Sequence, residues 1–152
     1  MLFSCEKPNE ISNNKNKLKI DSVAFWITHY KQPKLAVAQK KIALEKAYTI
    51  TQKLVSDSIK NNYLAEIAYQ TEARDLDSLF IKVNKESLEI ATKLNDFLKI
   101  GEAHWNYGNY YTDLEVIDSA YFHYHKAYLN FKLEKHDYFT AKMLYNIAFI
   151  QG

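Results

Sequence analysis

The side chains able to do chemistry are few, and their spacing works against it. The five histidines are His29, His104, His123, His125 and His136. On a helix His123 and His125 point roughly 200° apart and cannot share a metal, since a helical ligand pair stands four apart. The acidic run Asp113, Glu115 and Asp118 lacks the turn glycine and ligand spacing of a calcium loop, and fits helix caps and a solvated connection. His104, beside Trp105, fits a partly exposed helix position better than a catalytic base. The chain has no Gly-x-Ser-x-Gly elbow and no glycine-rich phosphate loop. Its one cysteine, Cys5, rules out an internal disulfide and a cysteine-based zinc site. A non-enzymatic protein with no metal and no cofactor is expected.

The stretch from Ala103 to Tyr111, AHWNYGNYY, could be a stacking surface for bases, because 12 Tyr, 8 Phe and 2 Trp are ample material for one. The charges argue otherwise. With 20 Lys and Arg against 18 Asp and Glu, and the lysines dispersed among acids, no basic groove is visible. No nucleic acid is expected as a partner, and nucleic-acid binding is kept only as a second alternative. Most rings fall on the same helical stripes as the alanines, so a ring, a gap and a ring at helical spacing implies packing. Gly108 and Ala127 are expected where two helices cross, with Tyr111 and Tyr124 filling the volume beside the gap.

Three glycines and two prolines in 152 residues leave little for tight turns, so the chain is predicted to be all-α. Small residues recur at Ala68, Gly108 and Ala148, and at Ala47, Ser87 and Ala127, each an interval of 40. Lys46-Ala47-Tyr48 returns as Lys126-Ala127-Tyr128, Asn106 returns as Asn146, and Asp57, Asp96 and Asp137 mark joints. A helical period of this length means paired helices stacked in an array. Apolar spacing of three and four predicts helices near 21–30, 35–55, 59–73, 78–94, 100–111, 120–131 and 141–152. Asp21-Ser22, Asp77-Ser78 and Asp118 are predicted as N-caps, and Pro33 marks a turn. Residues 1–19, polar and rich in Asn and Lys beyond Pro8, are predicted as a flexible tether. Residues 20–152 are predicted as about three units plus the first helix of a fourth.

The third unit resembles the tetratricopeptide repeat family through Gly108-x2-Tyr111 and Ala120-x3-Tyr124-x2-Ala127. Tyr107 stands where that family has leucine, Trp105 is one place late, and Lys132 replaces the closing proline. The earlier units keep Ile67-Ala68 and Leu44-x2-Ala47. The resemblance implies a right-handed superhelix of antiparallel helix pairs, an α-solenoid whose first helices line a groove for a protein or peptide segment. It places His104, Asn106, Asn109, Tyr110, Tyr145 and Asn146 on that groove. Asparagine suits the role because its amide can both donate to and accept from a peptide backbone.

Leu2-Phe3-Ser4-Cys5 resembles the lipobox of bacterial lipoproteins, which implies lipidation of Cys5. Only three residues stand before Ser4, short of the ~7 to 15 apolar residues of a secretory leader. Export therefore requires further sequence ahead of Met1. The protein is expected to be membrane-anchored or periplasmic with such a leader and cytoplasmic without it. No apolar run reaches the ~18 residues that span a bilayer. The helix at 141–152 lacks a covering partner, so more chain, another subunit or self-association through that helix is expected. The whole is similar to bacterial exported repeat lipoproteins and, as a first alternative, to input segments of two-component histidine kinases or repeat-containing transcriptional regulators.

Overall fold

A computed structural model describes residues 8–71 and 77–152. Among them are seven helices and no strand: α1 Pro8–Tyr30, α2 Val37–Thr51, α3 Asp57–Thr71, α4 Asp77–Leu94, α5 Phe97–Asp113, α6 Ile117–Leu133 and α7 Asp137–Gln151. From α2 onward the helices begin at 37, 57, 77, 97, 117 and 137. One helix and its joint thus occupy 20 residues, and a pair occupies 40. The predicted interval is present at the level of the backbone. The chain divides into two compact units, residues up to Lys60 and residues from Asn61 onward.

In the first unit α1 packs on α2. Val23, Ile27 and Tyr30 on α1 and Ala43, Leu44 and Ala47 on α2 are buried, the three-and-four spacing of a core-facing stripe. Lys46 Nζ lies 4.2 Å over the Trp26 ring, and Lys19 Nζ donates to the Lys53 carbonyl at 3.0 Å, where α2 has ended and its negative dipole end faces out. Three expectations change here. Asp21 and Ser22 do not start a helix; they lie inside α1, and Ser22 Oγ donates to the Leu18 carbonyl at 2.7 Å. The polar segment of the expected tether is helical from Pro8 onward. Proline suits a first helical position, and no glycine or proline interrupts residues 9–30, so helix propagates outward from the packed turns. Cys5 lies outside the described residues. At its far end α2 stops at Thr51 and not near 55, because the Lys53 and Leu54 N–H groups turn back to Ile50 and Thr51.

In the second unit the joints are copies of one another. Asn95, Glu115 and Lys135 stand at φ 53°, 59° and 55°, and after each the chain closes the same pair of bonds. Asp96, Val116 and His136 N–H reach back to the carbonyls of Ala91, Tyr111 and Phe131, each at 2.9 Å, while the left-handed residue bonds three back. This double closure is the Schellman termination. The residue that completes it is the N-cap of the next helix: Asp96, Val116 and His136 share φ near −90° and ψ from 76° to 87°. Asp96 accepts from Lys99 N–H at 3.0 Å and His136 from Phe139 N–H at 3.3 Å. Val116 has nothing to offer. Asp118, expected as that cap, instead sits in the first turn of α6, where its carboxylate still meets the positive end of the helix. The preceding helix's termination chooses the cap position, not the nearest aspartate. Asp77 is likewise the first residue of α4.

The α5–α6 pair is antiparallel, and its register is set by glycines under rings. A Cβ on Gly108 would stand 2.4 Å from Tyr124 Cδ1, and one on Gly101 2.6 Å from Phe131 Cε1. Both pairs are seven apart on each helix, so two turns of α6 settle on two turns of α5. The gap at Gly108 is thus filled by the Tyr124 ring itself, and Ala127 is buried one turn further along α6. Tyr124, Ala127 and Phe131 join Ala120 and Met143 in one cluster that Trp105, Phe139, Ile147 and Ile150 flank.

Candidate functional site: a groove on the first helices

A groove of about 340 Å³ opens in the second unit, lined by alternate helices of the array. Asn62, Ala65, Glu66 and Tyr69 come from α3, at helical spacing of three, four and seven. Lys99, Glu102, Trp105, Asn106 and Asn109 come from α5, and Phe139 from α7. These positions are repeat equivalents. Asn62 corresponds to Glu102, Ala65 to Trp105, Glu66 to Asn106, Tyr69 to Asn109 and Lys99 to Phe139, each pair separated by 40 in the chain. One face of a repeated helix therefore builds the whole site.

The amide orientations in the floor follow from hydrogen-bond logic. A carbonyl can only accept, so Asn84 must present Nδ2 to the Ala103 carbonyl, at 2.9 Å. Its Oδ1 then faces Asn106, whose Nδ2 donates at 3.1 Å. Asn106 itself is only 7% exposed and stands at the groove lining. Asn84 is fully buried, and Ser87 on the same helix donates to Asn61 Oδ1 at 2.8 Å. The amide of Asn84, bonded at both ends, fixes a helix register because any slip leaves groups unpaired, whereas Nδ2 of Asn61 is buried without a partner among the described residues. Asn109 is set from the other side, its Oδ1 accepting from the Tyr124 hydroxyl at 2.9 Å.

The charged lining is also ordered. Lys99 Nζ lies 2.6 Å from Glu102 Oε2, one turn away on α5. Glu66 Oε1 accepts from Gln70 Nε2 at 3.1 Å. Trp105 and Phe139 meet edge to face with centroids 5.5 Å apart, and Phe139 is stacked at 4.0 Å on His136, the cap of its own helix.

Of the residues predicted for the groove, Asn106 and Asn109 line it. His104 lies elsewhere, its Nδ1 2.9 Å from Nδ1 of His123 on α6. Burial first, and then the charges of His123 and Lys126, push its pKa down to about 4; burial also lowers that of His123. Such a contact needs one protonated and one bare nitrogen, so at least one of the two rings is neutral. Tyr110 packs its ring 5.0 Å from Phe80 on α4. Tyr145 is 63% exposed and stacks on Phe149 at 6.5 Å, and neither it nor the half-buried Asn146 lines this groove. Asn62, Ala65, Glu66, Tyr69, Lys99, Glu102, Trp105 and Phe139 also line it and were not among the predicted residues. The interval of 40 could have found the α3 set, had it been applied from Asn106 and Asn109 back to Glu66 and Tyr69.

Among the described residues no cluster of three or more His, Cys, Asp or Glu is placed to hold a metal, and no helix is long and apolar enough to cross a membrane. Compared with protein-family models, curated proteins and solved structures, the chain matches none. The groove presents amides, carboxylates and ring faces from α3, α5 and α7.

Proposed function

We propose that this protein is a non-enzymatic scaffold of the tetratricopeptide-repeat kind, whose helix pairs stack in a right-handed superhelix and hold a peptide or protein segment against the first helices. One observation carries this: five pairs of groove positions recur at an interval of 40, so the groove is a property of the repeat and not of one local accident. A repeated face suits a repeated ligand. A peptide backbone offers an N–H and a carbonyl at every residue, and successive amides such as Asn106 and Asn109 can take them up in turn.

The test is selection of phage-displayed random peptides on the immobilised full chain, followed by binding to a Tyr69→Ala variant. Tyr69 is largely exposed, so its truncation leaves the fold standing. Selected peptides should lose about tenfold or more in affinity on that variant, the loss of one central aromatic contact. Peptides that bind both proteins equally would show that the groove is not the binding surface.

A further inference from the structure

We infer that the groove takes up an aromatic side chain of the bound segment, tryptophan above all, whose ring lies over Ala65 and supplies the one ring that the repeat leaves out. This rests on the groove holding a peptide.

The repeat carries the argument. Ala65 and Trp105 stand 40 apart, and the same step leads back from Ala65 to Phe25 and on from Trp105 to Tyr145. The four positions lie on α1, α3, α5 and α7. Three of these helices put a ring there, and α3 puts a methyl group. What a ring does at this position is visible one step along the array. Trp105 meets Phe139 edge to face with centroids 5.5 Å apart, and it meets Phe131 in the same way at 6.2 Å. Forty residues before Trp105 and Phe139 stand Ala65 and Lys99. Two rings have become a methyl group and an alkyl stem, and the ammonium of Lys99 is drawn along α5 to Glu102, 2.6 Å away. Ala65 and Lys99 both line the groove, so the groove opens where the repeat omits its rings.

The lining suits a ring as the occupant. Ala65, only 7% exposed, gives an apolar floor. Tyr69, Trp105 and Phe139 stand around it, and aromatic rings gain more from one another, edge to face or offset, than from an aliphatic chain of the same area. The volume of about 340 Å³ lies at the low end of the ~300–1,000 Å³ of ligand pockets, which suits one large side chain with its flanking backbone. Asn62 and Asn109, each within one helical turn of the floor or of Trp105, line the same space and can take up that backbone.

The experiment uses peptides selected on the immobilised full chain. Those whose binding requires Tyr69 should share an aromatic position, and a synthetic copy with alanine there should bind about tenfold or more weakly. Phenylalanine in place of a tryptophan should cost less than leucine. On the protein side, Ala65→Trp gives α3 the ring that α5 already carries, so it should fill the groove and weaken the same peptides about tenfold or more, with the helical circular dichroism retained. If Ala65→Trp loses that spectrum, Ala65→Met takes its place, because a flexible thioether enters the same space with less strain, and it should weaken binding several-fold. Peptides that need Tyr69 yet bind unchanged without a ring, lose equally to phenylalanine and leucine, or hold the filled variant as tightly as the parent would overturn the aromatic assignment and leave the groove as the peptide site. If no selected peptide depends on Tyr69, the groove and the ring fall together.

Discussion

Replacing Gly108 by alanine should destabilise the second unit, although alanine is the better helix former. The propensity gain in a helix interior is about 1 kcal/mol. Against it, the new Cβ would stand 2.4, 2.5 and 3.0 Å from three atoms of the Tyr124 ring, where carbon atoms settle at about 3.5–4.0 Å. The ring must withdraw by about 1 Å or the helices must part. Neither is easy: Tyr124 is only 4% exposed and its hydroxyl is tied to Asn109, and the adjoining Gly101–Phe131 pair, where an added Cβ would stand 2.6 Å from the ring, holds the same register. Overpacking of a rigid neighbour costs about 1–3 kcal/mol, and this clash belongs in the upper half of that range. The expected net loss is about 1–2 kcal/mol, or a fall of about 3–6 °C in Tm. Urea and thermal unfolding followed by circular dichroism measure it. A double-mutant cycle with Tyr124→Leu isolates the cause, since with the ring gone Gly108→Ala should become neutral or stabilising. A single Gly108→Ala variant as stable as the parent would refute the idea that this ring sets the distance between α5 and α6.

The other predictions concern the joints and the histidine pair. Glu115→Gly should raise stability by about 0.5–1 kcal/mol, because a left-handed conformation at φ 59° costs a side-chain-bearing residue more than glycine loses in chain entropy; a lower urea midpoint would contradict it. Val116→Asp should add about 1 kcal/mol by giving α6 the cap that Asp96 gives α5 in the same backbone conformation; the gain is read from the same unfolding curves. Stability should also fall on acidification through His104. Its folded pKa of about 4 lies below the ordinary 6.5, so the unfolded chain binds the extra proton. The contribution is complete above about pH 6.5 and is lost as pH falls toward 4, up to on the order of 3 kcal/mol. A His104→Gln variant should show a smaller loss between pH 7 and pH 5 than the parent, and parallel losses would sink the assignment.

Much of the fold could be read without coordinates, for a reason visible in particular residues. Stripes such as Ala120, Tyr124, Ala127 and Phe131 encode a buried face through spacing alone, and all four are buried. Local spacing also gives the helical class and the interval of 40, because both are properties of a line of residues. Errors came where a decision depended on what lies across a joint or between helices. Asp118 looked like a cap because aspartate caps well, yet the Schellman closure of α5 passes that position to Val116. Asn13–Lys19 looked like a tether because it is polar, yet a helix anchored at Val23 and Ile27 runs back through it.

The groove divides the same way. Sequence by itself determined that first helices carry amides and rings at a fixed interval, and it picked Asn106 and Asn109. Only tertiary structure decided that Trp105 faces α7 while its neighbour His104 faces α6, since adjacent residues on a helix differ by about 100° and a small rotation exchanges their roles. Tertiary structure alone also turned the Asn106 amide, through a carbonyl on its own helix and an asparagine on another. Composition and spacing fix what a helix can offer; the direction of the offer is set by neighbours distant in the chain, because packing and hydrogen bonding act through space.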